Sequence, residues 1–353
     1  MRLSPNKALL MDISTINSIC TKYLGKDINI FLYGSYGSNQ GAWILNDDNE
    51  YHPYNDYDIL VLKNKLNKKD FMLMQKVEKE LLNNIKIKFI DLTLSTNQEM
   101  KFLKPTVLNI DILNSSKQIF GKYDFRKQVN NLDKKNISLE EVEKLFFTRL
   151  WVFSGAMTNL EKDKTFVLTQ IAKAIFAIVD AILIENKQYT SLYENKKNLV
   201  KNFVDKDFFN LVCWACEQRS HPSSELNLND FIDNKKNSNE KFLYKIVCEK
   251  YRLVFLRVLG NKYNKSFNSI DEFRSFYNSS IRTKIKRLIY PIVKGKSYNK
   301  DIYIRNAFMI KLSLLLSEIN DTEGLEMLKN ASDFFKINKN ICNNICYEIA
   351  QNL

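Results

Sequence analysis

Glycine, proline and histidine are scarce in this chain. Its 353 residues include 9 Gly, 5 Pro and 2 His. So few turn formers exclude collagen-like and low-complexity chains and argue against a turn-rich all-β protein. The two histidines, His52 and His221, stand without a convergent acid–nucleophile pattern, so no histidine-based triad is expected. The opening MRLSPNKALLMDIS lacks a sustained apolar core and a small-residue cleavage site, so no signal peptide is expected. No run reaches the roughly 18 uninterrupted apolar residues of a membrane span. The longest candidate, residues 171–184, carries Lys173 and Asp180 and reads as a buried core helix. Together with six cysteines and no leader, this predicts a cytoplasmic protein with reduced thiols and no membrane partner.

Arginine is scarce too, at 10 residues against 43 Lys, and Asn reaches 41. That bias is what an AT-rich genome produces, so part of the net charge of +13 reflects codon usage. A basic surface still raises encounter rates with polyanions, including nucleotides and RNA. Hydrophobic residues make up 45% and charged residues 26%, the balance of a globular chain. The length suits two or three domains.

The first 125 residues alternate between helical and strand-like patterns. Helices are predicted over 11–25, 69–84 and 98–113, and strands over 28–33, 57–62, 85–94 and 117–120. Beyond residue 125 the period-2 runs stop. Helices are predicted over 138–160, 164–186, 206–219, 239–259, 270–290, 302–319 and 338–351, with a polar connection over 219–240. The expected class is α+β, a small mixed sheet with helices followed by an all-α C-terminal region. The expected domains are 1–125, a catalytic domain; 126–220, a helical domain completing the nucleotide cleft; and 221–353, a second helical subdomain.

The chemistry concentrates at Phe31-Leu-Tyr-Gly-Ser-Tyr-Gly-Ser38 and Tyr54-Asn-Asp-Tyr-Asp-Ile-Leu-Val61. Asp56 and Asp58 are two apart at a predicted strand, so both carboxylates share a face and need a cation. Hard oxygen ligands favour Mg²⁺. Gly34-Ser35 follows a strand, and Gly lets a phosphate approach the backbone. A helix starting there would offer amides and a positive dipole end. A phosphate cradle beside a carboxylate pair suits phosphoryl or nucleotidyl transfer. A third acid would complete a two-metal site. Asp91 is the candidate, because it lies in the predicted strand 85–94 between apolar neighbours.

Gly34, Ser35, Asp56, Asp58 and Asp91, in that order, resemble the pattern of the DNA polymerase β-type nucleotidyltransferase superfamily: Gly-Ser after a strand, an acid-x-acid pair, then an acid on a later strand. The resemblance spans about residues 10–125. It implies Mg²⁺-dependent transfer of an NMP from an NTP to an acceptor hydroxyl, with release of pyrophosphate. By that resemblance Asp56 and Asp58 bind two Mg²⁺ ions, Asp91 binds the catalytic one and helps activate the hydroxyl, and Gly34 and Ser35 hold the triphosphate. The segment from Lys173 through Tyr189 looks like the helical domains of small bacterial nucleotidyltransferases, in several of which a helix lysine reaches the phosphates; Lys173 is the candidate here. A small-molecule acceptor is expected, with a protein or RNA hydroxyl, or a binding protein without turnover, as the alternatives.

Two departures stand out. Many small bacterial members read Gly-Ser-x-Ala-Arg-Gly-Glu, whereas Ser38 and Gln40 hold the Arg and Glu positions here. Residues 41–54 form an insertion with a hairpin pattern, which either covers the site and reads the acceptor or is a surface hairpin without a role. The pairs Cys213/Cys216 and Cys342/Cys346 have helical spacing and read as buried small hydrophobes and not as a zinc site. The basic stretch 282–296 reads as the solvated face of an amphipathic helix before it reads as an RNA contact.

Overall fold

A computed structural model describes residues 4–45, 50–87, 89–129, 132–156, 159–226 and 239–279. These residues form an α+β protein with a small sheet and a majority of helix. They divide into two compact units. The first holds the described residues up to Ser138 together with Asn186–Asn202 and Cys216–Pro222. The second holds Leu139–Glu185, Phe203–Ala215 and the described residues from Ser223 onward. The chain therefore returns to its first unit twice, where sequence reading expected consecutive divisions at 125 and 220. The helices expected at 302–319 and 338–351, the basic stretch 282–296, Cys342 and Cys346, residues 46–49 of the insertion and most of the 219–240 connection lie outside the described residues.

In the first unit, α1 (Pro5–Leu24) starts six residues before the apolar period predicts. Ser4 caps it by accepting from the Lys7 amide, and Pro5 sits at the first helical position, where its missing N–H costs nothing. Strand β1 (Ile28–Tyr33) is buried along its whole length and runs into a single helical turn, α2 (Gly34–Gly37). Strands β2 (Trp43–Leu45) and β3 (Tyr51–Pro53) pair antiparallel, as the hairpin pattern predicts. Strand β4 (Tyr57–Lys63) follows, then α3 (Lys68–Asn84), which opens with a capping box between Asn67 and Asp70.

Strand β5 (Ile90–Thr96) begins five residues later than predicted. The Ile85 amide still donates to the Leu81 carbonyl at 2.8 Å, so residues 85–87 form the way out of α3. The helix predicted over 98–113 is also split. A short 3₁₀ turn spans Glu99–Phe102 and α4 spans Val107–Ser115, with Pro105 between them, where an α-helix cannot continue. Strand β6 (Lys117–Phe120) closes the sheet.

The sheet order is β5-β4-β1-β6. Strand β1 is antiparallel to both neighbours, while β4 and β5 are parallel, joined by the crossover helix α3. One face packs Ile30, Leu32, Ile59, Val61 and Ile90 against Ile16 and Cys20 of α1 and Val77 and Leu81 of α3. The other face packs Phe31, Leu60 and Leu62 against Met100, Ile112 and Phe125. Each such buried aliphatic or aromatic side chain contributes about 1.5–3 kcal/mol.

The second unit is built around α6 (Lys164–Glu185) with α5 (Leu139–Ala156) and α9 (Glu240–Tyr263). By length and composition α6 could cross a membrane, yet 94% of its most apolar window is buried in the protein. The Tyr251 hydroxyl donates to the Phe146 carbonyl at 2.6 Å, and Phe146, Phe255 and Phe273 meet edge to face. Helix α10 (Ile270–Ser279) begins where the predicted 270–290 helix does, and α8 (Lys206–Ser220) matches its prediction within a residue.

Candidate active site

The site begins where β1 meets α2. Gly34 has φ +64°, a left-handed conformation that a side chain resists. A Cβ there would lie 1.9 Å from Asp58 Oδ2, so the Asp58 carboxylate rests directly on the Gly34 backbone. The register explains this, since Tyr33 pairs with Asp58 across β1 and β4. A Cβ on Gly37 would meet the Leu32 carbonyl oxygen at 2.4 Å and the Ser115 carbonyl oxygen at 2.8 Å. The two glycines thus let a turn of backbone fold between a carboxylate and the sheet. With only four residues, α2 has almost no macrodipole; it offers amide N–H groups instead.

The three acids come from adjacent strands. Asp58 of β4 and Asp91 of β5 are partners in the parallel register, so their side chains leave the same face. Asp56 lies one residue before β4 and two before Asp58. Tyr33, Asp58 and Asp91 occupy the same face as Leu60 and Phe31, at the end where the apolar packing stops. Along β5 that face continues through Thr93 and Ser95, while Ile90, Leu92 and Leu94 face the other core. Asp91 thus lies on a polar strand face, not among the apolar neighbours that the alternation predicts, because those neighbours point the other way.

The acids sense one another. Partial burial, and then the negative charge of Asp56, raises the Asp91 carboxyl above the usual carboxylate range. Burial pushes the Tyr33 hydroxyl up strongly, and the charges of Asp91, Asp58 and Asp56 all push it further the same way. That hydroxyl lies 3.4 Å from Thr93 Oγ1. Tyr33 is therefore a member of the site that sequence reading placed only as a strand end. Among the described residues no group of three or more His, Cys, Asp or Glu side chains forms a ready metal cage. The acids are a cluster by register and by charge. Their donor chemistry fits a hard divalent cation, which would relieve the repulsion felt at Asp91.

Asp56 is held from behind. Its neighbour Asn55 is buried and accepts from the Ala42 amide at 3.1 Å. The Asn55 amide donates to the Tyr36 hydroxyl, which donates in turn to the Ala42 carbonyl. Tyr36 of α2 also meets Trp43 edge to face at 5.3 Å and Tyr57 at 4.8 Å. The β2–β3 hairpin is thus fastened at its base to the same turn that carries Gly34.

The unusual Ser38 and Gln40 have their own work. The Ser38 hydroxyl donates to the Gly34 carbonyl at 2.8 Å. The Gln40 amide donates to the Ser35 carbonyl at 2.7 Å, and its side-chain Nε2 donates to Ser38 Oγ at 2.8 Å. Gln40 Oε1 accepts from the Tyr193 amide at 2.6 Å, at the start of α7 (Tyr193–Val200). Sequence reading missed both α7 and this link, because nothing local in Tyr193 or Gln40 indicates a partner 153 residues away.

The structure sets Asp58 against Gly34 and brings Asp56, Asp58 and Asp91 near enough for all three charges to act on Tyr33, with Ser35 next to Gly34 in the turn. Lys173 lies half-buried on α6, in the second unit. Cys213 and Cys216 lie on α8 as expected but are only half-buried, and His52 sits in β3, 3.9 Å from Glu50. No family model matches the chain, and a search of curated proteins finds no match.

Proposed function

We propose that this protein is a Mg²⁺-dependent nucleotidyltransferase that moves an NMP from an NTP to a hydroxyl of a small-molecule acceptor, releasing pyrophosphate. The observation that carries the reading is the seating of the Asp58 carboxylate on the Gly34 backbone, with Asp91 beside it in register. A phosphate approaching the turn at Gly34 meets amides and carboxylates together, an arrangement of use only with a cation between them. The finer fold assignment, a nucleotidyltransferase domain followed by an all-α region, belongs to the same proposal.

Asp56, Asp58 and Asp91 would hold two Mg²⁺ ions. When bound, the ions neutralise triphosphate charge and acidify the acceptor hydroxyl. The backbone at Gly34–Gly37 and the Ser35 hydroxyl would bind the phosphates by donating hydrogen bonds. Asp91, in register with Asp58 on the neighbouring strand, would orient the acceptor hydroxyl and take its proton. The acceptor oxygen bonds to the α-phosphorus, the bond to the β-phosphate bridging oxygen breaks, and pyrophosphate leaves with that electron pair. Lys173 is the lysine that the resemblance puts forward for the nucleotide phosphates.

The test is pyrophosphate release from each NTP with Mg²⁺ and a cell extract as acceptor source. Wild type releases it with at least one NTP, and Asp58→Ala abolishes this. The same background from both proteins, with every NTP, defeats the reading. Mass spectrometry with isotope-labelled NTPs then identifies the compound that gains the NMP.

A further inference from the structure

We propose that Arg219 is a positioning residue, a buried positive charge fixed behind the Gly34–Gly37 turn that raises its affinity for the phosphates of a nucleotide. The inference rests on the functional reading above and adds the source of the charge that such a turn lacks.

The turn is poor in positive charge. Its helix is too short for a useful dipole, and Ser38 stands where the resemblance expects an arginine. Arg219, in the last turn of α8, belongs to the same unit as the turn. It is one of the least exposed charged residues, at 6%. Among the described residues it forms no ion pair with a carboxylate. Its Nε and Nη2 donate to the Tyr193 hydroxyl at 3.2 and 2.9 Å, and the guanidinium carbon lies 5.5 Å from the centre of that ring. Its Nη1 is buried without a hydrogen-bond partner. A guanidinium buried with only a phenol and a ring to compensate it is costly, and an anion nearby lowers that cost.

Hydrogen bonds on either side of Tyr193, one set at its hydroxyl and one at its amide, link this residue to the turn. Arg219 holds the Tyr193 hydroxyl, the Tyr193 amide donates to Gln40, Gln40 donates to Ser38, and Ser38 donates to the Gly34 carbonyl. Every acceptor of the turn engaged here is a carbonyl, at Gly34 and Ser35. The network therefore grips the negative ends of these peptide dipoles and itself engages none of the amides of Gly34, Ser35 and Tyr36. Burial raises the Tyr36 hydroxyl of the turn; backbone hydrogen bonds at Asn55 and Tyr54 lower it, the charge of Asp56 raises it, and that of Arg219, the smallest of these influences, lowers it. In a poorly hydrated interior such a charge is weakly screened.

The experiment measures equilibrium binding, with Mg²⁺, of each NTP and of the matching diphosphate, monophosphate and nucleoside to the full chain. Arg219→Gln is expected to weaken triphosphate binding about tenfold, the diphosphate less, and the nucleoside not at all, since the effect scales with ligand charge. Arg219→Lys, which keeps the charge, is expected to recover most of the loss. Tyr193→Phe keeps both the backbone donor to Gln40 and the charge, and is expected to sit between them. Equal triphosphate affinity in wild type and Arg219→Gln overturns the inference. So does an equal loss for every ligand, nucleoside included, because that reports a structural defect. A wild type that binds no nucleotide overturns the functional reading and this inference with it, a result distinct from the other two.

Discussion

Replacing Gly34 with alanine adds one methyl group at the most crowded point of the site. Two costs arise from different causes. At φ +64° an alanine holds a left-handed conformation, which costs about 1–2 kcal/mol wherever it occurs. The new Cβ would also lie 1.9 Å from Asp58 Oδ2 and 2.7 Å from its Cγ, so the carboxylate must leave its seat. Overpacking of this kind adds about 1–3 kcal/mol. The two costs separate in a double-mutant cycle. In an Asp58→Ala background the two nearest atoms are gone, and only the Asp58 Cβ, at 3.2 Å, remains. Gly34→Ala should then cost about 1–2 kcal/mol less than it does in the wild type. Urea unfolding of the four proteins gives the cycle, read as midpoint shifts at constant slope. If Gly34→Ala costs the same with and without the Asp58 carboxylate, the carboxylate does not rest on Gly34 and the geometric basis of the site fails. Gly34→Ala alone should also remove pyrophosphate release, because the displaced carboxylate is a proposed metal ligand.

Gly37→Ala should destabilise through a different contact, since its Cβ would meet backbone oxygens of Leu32 and Ser115, which cannot swing away as a side chain can; a loss of about 2–3 kcal/mol in urea unfolding is expected, and a loss under 0.5 kcal/mol contradicts the packing. Asp91→Asn removes a carboxylate that burial and Asp56 disfavour, so without metal or nucleotide the variant should be no less stable than wild type at pH 7 yet release no pyrophosphate. The sign follows from the raised carboxyl: the wild-type site loses stability as pH rises through its titration, and the variant lacks that loss, so a clearly lower melting temperature for Asp91→Asn counts against the placement. Burial pushes the Cys20 and Cys248 thiols up to about 12. Both stay protonated in the folded chain while the unfolded chain ionises from about pH 9, so stability should fall between pH 9 and 12 by about 1.4 kcal/mol per pH unit per thiol. A Cys20→Ala variant with the same alkaline slope as wild type contradicts this.

Much of the first unit was legible because local patterns and tertiary packing agree there. The apolar run of β1, the spacing in α3 and the motif Gly34-Ser35 with Asp56 and Asp58 depend on neighbours within a few residues, and the structure places them in one corner of one sheet. The misreadings have local causes as well. Ser4-Pro5 starts α1 before its apolar period becomes visible, and Pro105 breaks a period that otherwise continues. The alternation over residues 85–94 predicts one strand, whereas α3 runs to Asn84, the Ile85 amide still closes onto it and β5 begins only at Ile90.

What the sequence determined by itself is which groups are present and in what order: a glycine, a hydroxyl and three carboxylates. Only the tertiary structure decided how they meet. The parallel register sets Asp58 beside Asp91, because pairing is chosen by which faces two strands bury and not by any residue within them. The return of Asn186–Asn202 and Cys216–Pro222 to the first unit sets Tyr193 and Arg219 behind the turn. A hydrogen bond across 153 residues leaves no periodic trace in the chain, since its partners need only be complementary where the fold brings them together.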